Sequence, residues 1–108
     1  MSGINLFTPN PTLTLAYAST VTTSTAALPT TATGHQLRLR NTDSANTAFV
    51  NFGNSAVTAT IPSGTTPGSM PIGPGETIGI TRSTDWTHMA IIAAAGTPTV
   101  YVTPGRGV

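Results

Sequence analysis

Near the carboxyl-terminal end, residues 87–103 (THMAIIAAAGTPTVYVT) join a long apolar run to a clean alternation of apolar and polar positions. The second half sets Val100 and Val102 against Thr99, Tyr101 and Thr103, and a period of two belongs to β structure. The first half is the longest apolar run of the chain, with Met89, Ile91 and Ala93 on one face and His88, Ala90, Ile92 and Ala94 on the other. Ala95-Gly96-Thr97-Pro98 interrupts the stretch once, so the pattern predicts a β-hairpin. A strand apolar on both faces needs cover on both. One cover is the domain's own core, and a neighbouring subunit is a candidate for the other, which would put Ile92 at an interface.

The same alternation recurs upstream. Residues 12–17 carry Leu13, Leu15 and Tyr17 on one face and predict a strand, with a looser second one around Val21. The rest of residues 1–34, rich in Thr, Ser, Ala and Pro, is expected to be an extended arm ahead of a core at 35–108. In HQLRLRN, Leu37 and Leu39 face the core while Gln36, Arg38 and Arg40 share the other face. A cluster of turn formers at 41–46 leads into TAFVNF, which predicts a second hairpin. Residues 56–61 alternate again, with Val57, Ala59 and Ile61 inward. Residues 62–75 then hold four prolines and four glycines, which predicts a loop without regular structure, anchored by Met70 and Ile72 and serving as a core cover or a contact loop. Residues 76–82 predict one more strand, with Ile78 and Ile80 inward. Seven to eight short strands separated by turn signals describe an all-β chain, an antiparallel β-sandwich of jelly-roll or immunoglobulin-like kind.

Composition changes the picture at the surface. Only 6% of the 108 residues are charged, and lysine is absent, against about 25% charged residues in ordinary domains. Threonine, at about a fifth of the chain, supplies a neutral polar coat that also suits strands. A net charge of +1 with four arginines is too little to neutralise a run of phosphates, so no nucleic-acid partner is expected. Near-neutral proteins tend to associate, and self-association is expected here. Cysteine is absent, which excludes disulfides and thiolate metal sites. The first residues have neither the positive start nor the apolar run of a secretory signal, and no stretch approaches the roughly 20 apolar residues of a membrane span. A chain made and kept soluble inside a cell, with no membrane partner, is the expectation.

Candidate chemistry is sparse. His88 and Asp85 form one local imidazole and carboxylate pair, but neither a nucleophile nor a third ligand joins them, and a working site needs several groups in defined roles. A turn cap for Asp85 and a backbone bond for His88 account for both. The expectation is therefore no enzyme, no metal, no cofactor and no small-molecule substrate. Arg38 and Arg40 on one strand face are either solvated or positioned to clamp carboxylates of a neighbouring subunit. Gly73-Pro74-Gly75 lacks phosphate-loop spacing and predicts a turn. Trp86 and Tyr101 offer a weak platform for a sugar.

The order LRLRNTDSANTAFVNFGNSAVTATIP, MPIGPGE, THMAIIAAAGTPTVYVTPGRG resembles small proteins that decorate or cement the heads of tailed bacteriophages. The matching segments are residues 39–42, 49–53, 70–75, 87–89 and 101–107, within the part of the chain from His35 onward. The resemblance implies a sandwich on the outer capsid surface, often as trimers at local threefold axes, bridging capsomers against internal DNA pressure. A homotrimer contacting the major capsid protein is the resulting expectation, on a virion made in the host cytoplasm. Leu13, Leu15 and Tyr17 of the arm, Arg38 and Arg40, Met70 and Ile72 of the loop, Ile92 and the terminal Arg106 are then the candidate contacts. The alternative from another class is a tail-fibre or surface module that binds a host glycan through Trp86 or Tyr101.

Overall fold

Alternation becomes nine strands in the computed structural model, which describes residues 8–9, 13–29 and 35–106. The remainder of the expected arm (1–7, 10–12 and 30–34) and the tail residues 107–108 lie outside the described residues. The strands are β1 (Thr8–Pro9), β2 (Leu15–Ala18), β3 (Ser24–Ala27), β4 (Gln36–Asn41), β5 (Ala48–Gly53), β6 (Met70–Ile72), β7 (Thr77–Thr81), β8 (His88–Ala93) and β9 (Thr99–Arg106). All pairing is antiparallel, and no helix occurs among the described residues. One sheet runs β2-β9-β4-β7, with β1 beside β2 on the same edge of β9, and the other runs β3-β8-β5-β6.

The pairs β2 with β9, β3 with β8, β4 with β7 and β5 with β6 nest like one long hairpin rolled over on itself. That connectivity is a jelly roll, which decides between the two sandwich topologies. It also replaces both predicted hairpins. β8 and β9 lie in different sheets, as do β4 and β5, so residues 94–98 and 42–47 are crossovers at one end of the sandwich. Their contact is close. Gly96 has φ 69°, and a Cβ there would overlap the Asn46 side chain. Alternation alone cannot separate the two outcomes, because a crossover and a tight hairpin both leave the strand period intact.

Between the sheets, the inward residues meet. Leu37, Leu39, Val100 and Val102 of the first sheet are fully buried in one cluster with Val50, Ile72, Met89 and Ile91 of the second. At the end of β4, Asn41 is buried as well, and its polar atoms are occupied. Nδ2 donates to the carbonyls of Asn46 and Ile72, each at 2.9 Å, and Oδ1 accepts the Asp43 N–H at 3.0 Å. A buried amide satisfied in this way fixes the crossover to the sheet end instead of costing stability.

Residues 13–29, expected within the arm, are part of the sandwich, so the expected division after residue 34 cuts through both sheets. β2 extends one sheet and β3 the other. The strand near Val21 forms instead at Ser24–Ala27, while Val21 itself is exposed. Tyr17 and Leu28 close the core, and the Tyr17 hydroxyl donates to the Ala27 carbonyl, tying β2 to β3 across the gap between the sheets.

Residues 56–61 do not form the strand their alternation predicts. They cross the outer face of the second sheet, held by side chains: Thr25 Oγ1 donates to the Val57 carbonyl at 2.6 Å, Asn51 Nδ2 to the Thr58 carbonyl at 3.1 Å, and the Ala59 N–H to Thr23 Oγ1 at 2.8 Å. Thr25, Ala90 and Asn51 are neighbours across β3, β8 and β5, so this segment lies over Ala90, which is fully buried. The second cover of β8 is therefore the chain's own crossing segment at Ala90. Further along, the proline-rich loop contains β6, where Pro71 is tolerated because the strand is an edge. Gly68 is required where the loop doubles back, since a Cβ there would overlap the Pro62 backbone.

Two outcomes are expected. Thr25→Val removes the hydroxyl that holds the crossing segment and lowers stability by roughly 1 kcal/mol, with faster amide exchange at Ala59; Leu39→Ala costs about 2–5 kcal/mol. Urea titration and hydrogen exchange check both. Burial pushes the Tyr17 phenol up to about 12, with Arg82 pulling slightly the other way. Since the folded value lies above that of the unfolded chain, the stabilisation from neutral Tyr17 is fully present below pH about 10 and lost as pH rises towards about 12. Unfolding midpoints measured at rising alkaline pH should fall by an amount equivalent to about 2–3 kcal/mol, and Tyr17→Phe should flatten that part of the fall.

Candidate interaction surfaces

Strand parity sends Gln36, Arg38 and Arg40 to the outer face of the first sheet, where β9 and β7 flank them. Arg40 lies between Tyr101 and Thr77, and Arg38 between Thr103 and Gly79. Both arginines are exposed, and Tyr101 is 46% exposed. The Arg40 guanidinium leans towards β7, its Nη1 donating to Thr77 Oγ1 at 3.1 Å and to the Gly75 carbonyl at 3.4 Å. Nothing lies within 4 Å of where a Gly79 Cβ would stand, so the sheet is low at that point. Together these residues make an exposed face of arginine, tyrosine and threonine. Arginine and tyrosine are the residue types that anchor protein interfaces.

Two of the three acidic residues of the chain are spent elsewhere. Asp43 caps its own turn, accepting the N–H groups of Ala45 at 2.7 Å and Asn46 at 2.9 Å, and those bonds hold its carboxyl below the ordinary aspartate value. Glu76 reaches back to the Gly73 N–H at 2.7 Å and closes the turn at Gly75, which has φ 70°. Gly73-Pro74-Gly75 is thus a turn. Arg106, at the end of β9, is exposed beside the short β1.

A second feature lies between the sheets on the side where they end at β6 and β7. Val50, Asn51, Phe52 and Met70 of one sheet, Ile80 of the other, Trp86 and the loop residues Thr60, Pro67, Gly68 and Ser69 line an open cavity of about 340 Å³. Its floor is an aromatic pair, Phe52 and Trp86, stacked with centroids 4.7 Å apart and planes 15° from parallel. Arg82 holds Trp86 in place: Nε and Nη2 donate to the Trp86 carbonyl at 3.3 and 3.1 Å, while Nη1 donates to the Pro29 carbonyl at 2.7 Å. One guanidinium therefore joins the end of β7, the 83–86 turn and the segment after β3. A smaller cavity of about 230 Å³ opens on the other side of this turn, lined by His35, Arg82 and Thr84 among others.

The remaining candidates scatter. Tyr17 and Ile72, expected as contacts, are inside the core, because their strand partners Val100 and Ala48 face inward. Leu15 is 44% exposed and Met70 37% exposed, whereas Leu13 and Ile92 are half-buried. Ile92 pairs with Phe49 on the outer face of the second sheet, away from Arg38 and Arg40. Trp86 and Tyr101 occupy different faces and do not form one platform. His88 bonds Thr87 Oγ1 through Nδ1 at 2.8 Å instead of meeting Asp85, whose N–H is taken by Ser83 Oγ at 3.3 Å. Among the described residues, no group of three or more His, Cys, Asp or Glu converges as a metal site.

Sequence reasoning did not find the Phe52–Trp86 cavity or the role of Arg82. The available signal was a lone tryptophan placed in a turn directly after an arginine-ended strand. Comparison with protein-family models, with curated proteins and with solved structures finds no match to this chain.

Proposed function

We propose that this protein is a structural component of a tailed-bacteriophage virion, decorating the outer surface of the capsid and cementing neighbouring capsid subunits. The observation that carries the reading is the outer face of the first sheet, where exposed Arg38, Arg40 and Tyr101 are neighbours on a threonine background. Such a face suits a lattice of protein subunits: arginine forks match carboxylates in two-point contacts, and tyrosine adds area with little entropy to lose. The resemblance to head-decoration proteins supports the same reading. Its motif segments include the end of β4, most of β5, the β6 strand with its turn, and the end of β9. Self-association as a homotrimer, with the major capsid protein as the other partner, belongs to this proposal. The jelly roll by itself carries no weight, since the fold hosts many functions.

Deleting residues 1–34 is not a clean test, because it removes β2 and β3 together with Tyr17 and Leu28. Surface substitutions are. Recombinant protein added to heads that lack it should co-sediment with them. Arg40→Glu and Tyr101→Ala should each lower occupancy at least about tenfold, the size expected for losing one interface anchor, with the melting temperature unchanged. Wild-type protein that stays in the supernatant at every concentration would overturn the proposal.

A further inference from the structure

The backbone of β7 and the cavity beside it meet at one edge. The Asn41 N–H donates to the Glu76 carbonyl at 3.0 Å, and the Arg82 N–H donates to the His35 carbonyl, so these pairs bracket the ladder between β4 and β7. Bonded pairs alternate along an antiparallel ladder. Ile78 and Ile80 therefore turn their N–H and C=O groups to β4, whereas Thr77, Gly79 and Thr81 turn theirs to the free edge. No described residue bonds these outward groups.

Edges of this kind are normally blunted by charge, proline, bulges or short length. The others here are. β6 has three residues with Pro71 at the centre, the outward Ala27 carbonyl of β3 is taken by the Tyr17 hydroxyl, and β2 has four residues. β7 (TIGIT) is the longest edge strand, at five residues, and has no charge and no proline.

We infer that the β7 edge, together with the Phe52–Trp86 cavity, is a docking site for one extended, uncharged segment of a partner chain, added as a further antiparallel strand with an apolar side chain seated between Trp86, Met70 and Ile80. Main-chain bonds to Thr77, Gly79 and Thr81 supply affinity, and the cavity reads alternate side chains. Its volume of about 340 Å³ is at the small end for ligand sites and suits one or two apolar side chains. No charged side chain lines it among the described residues, and β7 has none, so the complementary segment is neutral.

The probe is a capped heptapeptide, Thr-Val-Thr-Leu-Thr-Val-Thr, titrated into the full chain. Because it is a free peptide, failure here leaves the capsid reading standing, and failure to bind heads leaves this inference standing. Trp86 is the sole tryptophan, so its fluorescence reports the cavity directly. Saturable change in its emission is expected, together with at least about tenfold slower exchange of the Thr77, Gly79 and Thr81 amides. Gly79→Pro removes one outward donor without touching the bonds to β4 and should abolish binding. Gly79→Ala, whose Cβ meets nothing, should bind like wild type. Replacing the central leucine of the probe by aspartate should also abolish the signal. Absence of both fluorescence change and amide protection up to about 1 mM peptide, a ceiling beyond which docking is negligible, overturns the inference. Undiminished binding by folded Gly79→Pro does the same. So does protection of these amides that appears without peptide and grows with protein concentration, since a second copy would then be the occupant.

Discussion

The inward parity of β4 and β9 is the constraint on which the rest depends. These two strands pair along six positions, so Leu37 and Leu39 bury beside Val102 and Pro104 on one face while Arg38 and Arg40 stand beside Thr103 and Tyr101 on the other. A slip of one residue would exchange the faces, burying two guanidiniums and exposing the leucines. The core and the proposed docking face are thus two sides of a single register. A shift of that register would change both at once.

Three polar groups then convert a sandwich into a defined shape. Asn41 pins a crossover to the end of β4, Arg82 pins the Trp86 turn to the end of β7, and the Tyr17 hydroxyl links the edge strands β2 and β3. Each satisfies backbone carbonyls that the sheets leave over. The crossing segment at 56–61 follows the same rule, bonded through Thr23, Thr25 and Asn51 in place of a strand partner. Threonine in this chain is therefore both coat and fastener.

The two surfaces differ in what they ask of a partner. The outer face of the first sheet offers charge and aromatic area, and suits a folded neighbour with carboxylates. The β7 edge offers backbone groups and an uncharged cavity, and suits a chain without structure of its own. A particle component that grips a lattice and also accepts a strand would use both. The two surfaces meet at Gly79, which contributes a low point to the face and an N–H group to the edge.

Local alternation determined the all-β class, the inward and outward residues of β4, β7 and β9, and the turn at Gly73-Pro74-Gly75, because a period of two is a property of the backbone and needs no partner. Tertiary structure decided which strands share a sheet, turning two expected hairpins into crossovers and an expected strand at 56–61 into a strap. It also brought Phe52, Met70, Ile80 and Trp86 around one cavity and, among the described residues, placed β7 at the edge of its sheet. Those outcomes come from pairings between residues far apart in the chain, whose energies depend on what lies opposite, and the period of a single strand carries no record of its neighbour.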